Sequence, residues 1–305
     1  MLQKQCFQEL QTALLQGNPA VLSFGPDKAC KRLFQPQARL ILLGGGHVSH
    51  ALSQLAAMLE FDLVVVDDRA EFACQDRFPT ASSILCAPFA DAILSLHITA
   101  SDYVCVLTRG HSFDELCIRT LLAGTFPAYL GMIGSLRRIQ GMMELLLSDG
   151  YPEHLLKQIH APIGLPIGSQ SPAEIAISIA AQLIKQRSLY RKQAQEQGIL
   201  PVMSAEQSVL ACLANETASA VAIIVETSGS SPAKPGALMA VFSDGSIAGT
   251  IGGGIGEEEV RKQAYFMLQN HIEQKTVSID MTGEVAAAQG MVCGGRMKVW
   301  IELIS

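Results

Sequence analysis

The feature that most constrains the fold is a glycine-rich turn between a predicted strand and a predicted helix. The apolar run 39–43 leads into Gly44, Gly45 and Gly46, and a helical pattern follows to about residue 60. A second apolar run, 63–66, ends at Asp67, 23 residues after Gly44. This succession of strand, glycine turn, helix and acid is typical of the βαβ unit that binds a nucleotide pyrophosphate at the start of its helix.

The alternation of strands and helices continues beyond this unit. Apolar runs at 82–86, 103–107 and 128–133 are followed by turn and helix signals. Such alternation, with strands that are apolar on both faces, predicts a parallel sheet covered by helices on both sides. We therefore predict a Rossmann-like, doubly wound α/β domain over residues 1–187, with a helix and a strand as an N-terminal extension.

The last third of the chain has a different character. Residues 188–205 are rich in polar side chains and are predicted to be a linker. Residues 206–305 contain short strands, a predicted hairpin turn at Asp244 and Gly245, and a second glycine-rich turn before a helix. This pattern predicts a smaller α+β domain with an antiparallel sheet.

Composition narrows the classes of partner. Charged residues make up 16% of the 305 residues and hydrophobic residues 49%, whereas about 25% charged residues is usual, so we expect a homodimer that covers apolar surface. The net charge of -6 argues against nucleic acid and anionic membranes as partners. Neither a membrane span nor a signal peptide is evident, and the eight cysteines are scattered without a metal-binding spacing. A cytoplasmic protein without a metal site is expected.

Candidate ligand-binding residues of the first domain follow its predicted strands. The first group could hold phosphate and ribose, and it comprises Gly44, Gly46, His47, Asp67, Asp68 and Arg69. In a second group, His111 could act in acid–base chemistry, oriented by Asp114, or both could simply begin a helix. Gly134 and Ser135 precede two arginines and could receive an anion, although those arginines could equally form a solvated helix face.

The second domain offers two glycine- and hydroxyl-rich loops. One contains Gly229, Ser230 and Ser231, and the other contains Gly252, Gly253 and Gly254 followed by Glu257. Such loops can present N–H groups to an oxyanion, although acidic residues at a helix start are also ordinary helix chemistry. Cys293 precedes two glycines in a predicted turn, so it is either an accessible, reactive thiol or a small buried one.

Together these segments resemble the XdhC/CoxI family, the accessory proteins of molybdenum hydroxylases such as xanthine dehydrogenase and carbon monoxide dehydrogenase. The matching motifs lie at 44–48, 66–69, 77–79, 108–111, 129–135, 161–165, 227–232, 235–237, 249–254 and 293–295. Two departures stand out. The small domain, which comes first in most members of the family, here follows the Rossmann-like domain. Ile255 also stands where the family often has a cysteine, which leaves Cys293 as the matching thiol.

The resemblance implies an accessory role rather than turnover catalysis. Members of the family bind the molybdenum cofactor as cargo, assist its sulfuration and deliver it to an apo molybdenum hydroxylase. The cargo would be molybdopterin or its dinucleotide form, and a cysteine desulfurase would be a further partner. The alternative from the residues alone is an NAD(P)-dependent oxidoreductase acting on a small carbonyl or alcohol, with His111 as its acid–base group.

Overall fold

The computed structural model describes residues 4–25, 28–201, 207–215, 218–231, 233–281 and 295–304. The chain divides into two compact units. The first, which we call the antiparallel unit, joins Met1–Gln35 to Tyr190–Ser305, and the second, the Rossmann unit, is Pro36–Leu189.

The helices and strands follow one another in this order: α1 (Lys4–Leu15), β1 (Ala20–Phe24), β2 (Cys30–Phe34), β3 (Arg39–Leu43), α2 (His47–Met58), β4 (Asp62–Asp67), β5 (Ser83–Cys86), α3 (Phe89–Ser95), β6 (Tyr103–Val106), α4 (His111–Leu122), β7 (Tyr129–Met132), α5 (Leu136–Ser148), α6 (Glu153–Leu156), α7 (Pro172–Glu196), β8 (Ile199–Leu200), α8 (Gln207–Ala214), β9 (Ala220–Gly229), β10 (Leu238–Val241), β11 (Ile247–Gly249), α9 (Gly254–Gln269), β12 (Gln274–Asp280) and β13 (Gly295–Leu303).

The Rossmann unit contains a five-stranded sheet in the order β5-β4-β3-β6-β7, and every pairing in it is parallel. The chain begins at the central strand β3, builds outward to β5, and then returns to β6 on the other side. The switch point of the topology therefore lies between β3 and β6, which is where ligands bind in folds of this kind. The predicted doubly wound parallel sheet is confirmed.

Alternate residues of the strands fill two cores, one on each face of the sheet. Ile41 and Leu43 of β3 pack in the core that includes α3, α4 and α5, whereas Leu40 and Leu42 pack in the core that includes α2 and α7. The helix α7 begins with the capping box predicted by its sequence. The N–H of Ser171 donates to the carboxylate of Glu174 at 2.8 Å, and the N–H of Glu174 donates to the hydroxyl of Ser171 at 3.3 Å.

The antiparallel unit contains a five-stranded sheet in the order β11-β10-β9-β13-β12. One core of this unit includes Val260 and Met267 of α9 together with alternate residues of the sheet. The other includes residues of α1 and α8, with Trp300 of β13. A small sheet in the order β1-β2-β8 completes the unit.

The division into units differs from the predicted boundaries. Residues 1–35 were predicted to extend the Rossmann-like domain, but β2 pairs with β8 through Lys31↔Ile199. Phe7 and Phe34 also lie in one core with Leu213 of α8. The predicted linker, 188–205, contains the end of α7 and the strand β8. These contacts join segments that are far apart in the sequence. They depend on hydrophobic packing in the folded chain, which the local sequence pattern does not indicate.

Among the described helices, none is both long enough and apolar enough to cross a lipid bilayer.

Candidate functional site

The candidate site of the Rossmann unit lies where its strands end, which we call the carboxyl edge. At the switch point the loop after β3 touches the loop after β6. Gly44 has a φ of +114°, and a Cβ at this position would lie 2.3 Å from the carbonyl oxygen of Leu107. Only glycine fits both the conformation and the space, so the glycine of the predicted turn is explained by this close approach.

Asp67 fixes the glycine loop from the neighbouring strand. Its side chain is buried, with 1% of its surface exposed. One carboxylate oxygen accepts the N–H of Gly45 at 2.8 Å and Arg69 Nη2 at 3.0 Å. The other accepts the N–H and Nε of Arg69, at 3.1 and 2.9 Å. The carboxylate thus has four donors from its own chain.

The segment after β4 covers the glycine loop on the side of Gly45. A Cβ on Gly45 would lie 2.2 Å from the carbonyl oxygen of Phe72. Arg77 Nε donates to the carbonyl oxygen of Gly45 at 2.8 Å, and the guanidinium of Arg69 lies 3.7 Å from the centre of the Phe72 ring. This side of the loop is closed by protein.

The other side of the loop is open. A Cβ on Gly46 would meet nothing within 4 Å. Gly46 is the N-cap of α2 and provides no side-chain cap, and His47 in the first turn is exposed. Nucleotide-binding turns of the form Gly-x-Gly-x-x-Gly usually have a third glycine at the position of Ser49. Ser49 is buried and donates its hydroxyl to the carbonyl oxygen of Gly44. The first N–H groups of a helix have no partner within the helix, and Gly46 supplies no side-chain cap, so the start of α2 is suited to an anion.

An ion pair joins the loops after β4 and β6, the two strands that flank β3. Arg109 donates two hydrogen bonds to Asp68, one of them 2.8 Å long. The guanidinium of Arg109 also lies 4.2 Å from the centre of the Phe113 ring. The hydrogen bonds from Arg109 hold the pKa of Asp68 below its ordinary value. The pair places a cation at the switch point, beside the glycine loop.

His111 and Asp114 both begin α4, but the structure gives Asp114 two partners other than His111. Its buried carboxylate accepts the hydroxyl of Thr108 at 2.5 Å and an ion-paired hydrogen bond from Arg138. Burial raises the pKa of Asp114, while Thr108 and Arg138 oppose that rise. His111 itself is exposed. Asp114 therefore ties α4 to Thr108 and to α5.

Gly134 and Ser135 precede α5 at the same edge. Ser135 is exposed and is the N-cap of α5, although its hydroxyl makes no capping hydrogen bond. Arg138 is not part of a simple solvated face, because it pairs with Asp114. The helices α2, α4 and α5 thus all begin at this edge, around the switch point.

In the antiparallel unit, Glu257 organises the second glycine-rich turn. Gly252, Gly253 and Gly254 have φ values of +115°, +72° and +67°. One oxygen of Glu257 accepts the hydroxyl of Thr250 at 2.6 Å and the N–H groups of Ile251 and Gly253 at 2.9 and 3.2 Å. Glu257 closes the loop from inside, so its evident role is structural.

The loop that contains Ser230 and Ser231, which we call the serine loop, lies at the end of β9, where Gly229 pairs with Gly295 of β13. A Cβ on Gly295 would lie 2.7 Å from the carbonyl oxygen of Ser230. Ser230 is exposed. The hydroxyl of Ser231 is buried and makes no hydrogen bond within the described part of the chain. Cys293, the predicted reactive thiol, lies outside the described residues.

Sequence reasoning missed two contributors to the carboxyl edge. Phe72 packs against Gly45 and was not among the candidate binding residues, whereas Arg109 lies in the motif 108–111 but was given no role of its own. The pairing of Arg109 with Asp68 spans 41 residues, and no local pattern indicates it. The position of Arg109 directly after an apolar strand was the available signal, since such residues lie at the carboxyl edge.

In the described ranges, no group of three or more histidine, cysteine, aspartate or glutamate side chains is arranged to hold a metal ion.

Comparison with known proteins identifies both units. Residues 40–183 match the XdhC Rossmann domain, and residues 212–280 match the XdhC and CoxI family. The chain is 34% identical over 148 residues to the uncharacterized protein YqeB of Escherichia coli K12, covering 48% of this chain and 27% of the relative. It is 32% identical over 154 residues to a probable xanthine dehydrogenase subunit of Bacillus subtilis, covering 50% of this chain and 44% of that relative.

A solved structure gives a similar match. The crystal structure of a xanthine dehydrogenase from Bacillus halodurans is 32% identical, with a TM-score of 0.48, and the match covers 54% of this chain and 48% of that one. In all three comparisons, the match spans less than half of the relative's own length.

Proposed function

The chain belongs to the XdhC/CoxI family, and from that membership we propose that it is an accessory protein of a xanthine dehydrogenase-like molybdenum hydroxylase. In this proposal the chain binds the molybdenum cofactor as cargo, assists its sulfuration and inserts it into the apo-hydroxylase. The probable xanthine dehydrogenase subunit of Bacillus subtilis, 32% identical to this chain, supports the association.

The observation that carries the proposal is the open side of the glycine loop at the switch point. Gly46 adjoins open space at the start of α2, and Arg109, paired with Asp68, lies in the loop after the adjacent strand β6. The cofactor is a pterin with a phosphate-bearing tail and a dithiolene-bound metal. Free N–H groups and a guanidinium are the groups that bind a phosphate, so the residues at this edge fit the tail of the cargo.

The antiparallel unit carries candidate ligand groups of its own. The buried hydroxyl of Ser231 has no hydrogen-bond partner in the described chain, and buried polar groups without partners are rare in proteins. A polar ligand that bonded this hydroxyl would relieve the cost of its burial. Cys293 is the thiol that the family pattern matches, and we propose that it takes part in sulfuration.

Anaerobic cofactor retention tests the proposal. The purified chain would be incubated with molybdenum cofactor and passed through a desalting column, and molybdenum in the protein fraction would then be measured. We expect retention of about one molybdenum per chain, weakened in Arg109→Ala and in Cys293→Ala. Arg119→Ala is the matched control, because Arg119 pairs with Glu115 and Asp149 in the same unit. Absence of retention by the wild-type protein would refute the proposal.

A further inference from the structure

We propose that the chain closes the adenosine half of its own glycine-loop site and that Arg69 is the residue that excludes nucleotides. This inference rests on the proposed function, because it specifies the cargo as a phosphate ester that needs no second nucleotide at this site. In dinucleotide-binding folds the pyrophosphate sits over the glycine loop, and the acid at the end of the next strand bonds the ribose hydroxyls. Asp67 occupies that acidic position.

The ribose position is taken by Arg69. A ribose diol needs oxygens of the acid as acceptors, but each oxygen of Asp67 already accepts two hydrogen bonds, and three of the four come from Arg69. The fourth comes from the N–H of Gly45. A nucleotide would have to displace a guanidinium that is paired in a planar, two-point arrangement, which is a strong form of ion pair.

The space beside the ribose position is also occupied. The ring of Phe72 lies 3.7 Å from the guanidinium of Arg69, so the guanidinium contacts both this ring and the carboxylate of Asp67. The carbonyl group of Phe72 packs against Gly45, and Arg77 bonds the carbonyl oxygen of Gly45. On the Gly46 side, in contrast, a Cβ would meet no atom within 4 Å. The loop therefore admits a ligand from one side only.

A ligand that enters from the open side meets the start of α2 and the ion pair of Arg109 with Asp68, in which both carboxylate oxygens of Asp68 already accept hydrogen bonds from the guanidinium. The chemical class that fits is a phosphate monoester whose remaining bulk extends away from Asp67. Among the two forms of the cargo, the geometry favours molybdopterin with its single phosphate over the dinucleotide form. Arg69 is then a specificity-determining residue rather than a ligand of the cargo.

Titration with ADP-ribose, followed by calorimetry, tests this inference. Wild-type protein should bind ADP-ribose with a dissociation constant above about 1 mM. Arg69→Ala removes the two side-chain hydrogen bonds and so opens one acceptor position on each oxygen of Asp67. It should bind ADP-ribose roughly 10-fold to 100-fold more tightly, the range that one or two charge-assisted hydrogen bonds account for. Arg119→Ala is the matched control, because it removes an arginine of the same unit that pairs with Glu115 and Asp149 and leaves Asp67 covered, and it should behave as wild type.

A second variant guards against misfolding of Arg69→Ala. Arg69→Lys keeps a cation beside Asp67 but lacks the planar fork, so it should fold and show a smaller gain in the same direction. Micromolar binding of ADP-ribose by the wild type, or folded Arg69 variants without any gain, would overturn the inference. Cofactor retention by the same proteins is measured separately. If the proteins fail to retain the cofactor but still exclude ADP-ribose, the proposed function is refuted and the role of Arg69 is not.

Discussion

The carboxylate of Asp67 accepts the backbone N–H of Gly45 at 2.8 Å, so the end of one strand holds the glycine loop that follows its neighbour. The same carboxylate pairs with Arg69. This one buried group therefore sets both the shape of the loop and the closure of one side of it.

Removal of that carboxylate should destabilise the fold. We expect Asp67→Ala to lower the free energy of unfolding by about 2 to 4 kcal/mol, because it leaves Arg69 and the N–H of Gly45 without their acceptor. Asp68→Ala, one residue on, breaks a partly exposed pair with Arg109 and should cost about 1 kcal/mol or less. Urea unfolding of both variants measures the difference, and equal losses would contradict the account.

The two glycines of the loop should respond differently to a methyl group. Gly44→Ala places a Cβ against Leu107 at a φ of +114°, and we expect a loss of about 2 to 4 kcal/mol from clash and strain. Gly46→Ala meets open space and should cost less than about 1 kcal/mol, mainly through a poorer N-cap. Thermal unfolding compares them. A Gly44→Ala variant as stable as wild type would show that the loops do not touch.

The second glycine-rich turn should depend on Glu257. Glu257→Gln weakens three hydrogen bonds that close the loop before α9, and we expect a loss of about 1 to 3 kcal/mol. The neighbour Glu258 forms an exposed pair with Arg261, so Glu258→Gln should have a much smaller effect. Denaturant midpoints of the two variants test this, and the reverse order would rule out the structural role of Glu257.

Because of His160, the free energy of unfolding should increase as the pH rises towards 6.5, the ordinary pKa of histidine. Its ring stacks on Tyr129 with centroids 4.8 Å apart. Burial, and secondarily Lys185, lowers the pKa of His160 from its ordinary value of 6.5. Between the folded pKa and 6.5 the unfolded chain binds more protons, so stability increases as pH rises through that window and is lost below it.

Nuclear magnetic resonance titration of the His160 ring measures this pKa directly. Lys185→Gln removes the positive charge that opposes protonation and should raise the pKa of His160 part of the way back. A pKa at or above 6.5 in the wild type would contradict the burial of this ring.

Local sequence patterns predicted the elements that position the site, because those elements have local causes. The glycine turn before α2, the acid at the end of β4 and the capping box of α7 each depend on residues within a few positions of one another. The XdhC/CoxI resemblance was confirmed on both units.

Partners distant in sequence were not predictable in the same way. The bond between Arg109 and Asp68 exists because β3 lies between β4 and β6, an order that only the folded sheet fixes. The pairing of β2 with β8 likewise joins two segments of the antiparallel unit that are separated in the sequence by the whole Rossmann unit. The roles of His111, of the serine loop and of Cys293 in binding stay predictions.

The most direct test of the proposed function is transfer of cofactor into an apo-hydroxylase. Purified apo xanthine dehydrogenase would receive limiting molybdenum cofactor under anaerobic conditions, with and without this chain, and the rate at which hydroxylase activity appears would be measured. We expect faster activation with the wild-type chain and a weaker effect with Arg109→Ala. Activation that is unchanged by the chain, together with tight binding of NADH, would contradict the proposed function and would favour an oxidoreductase instead.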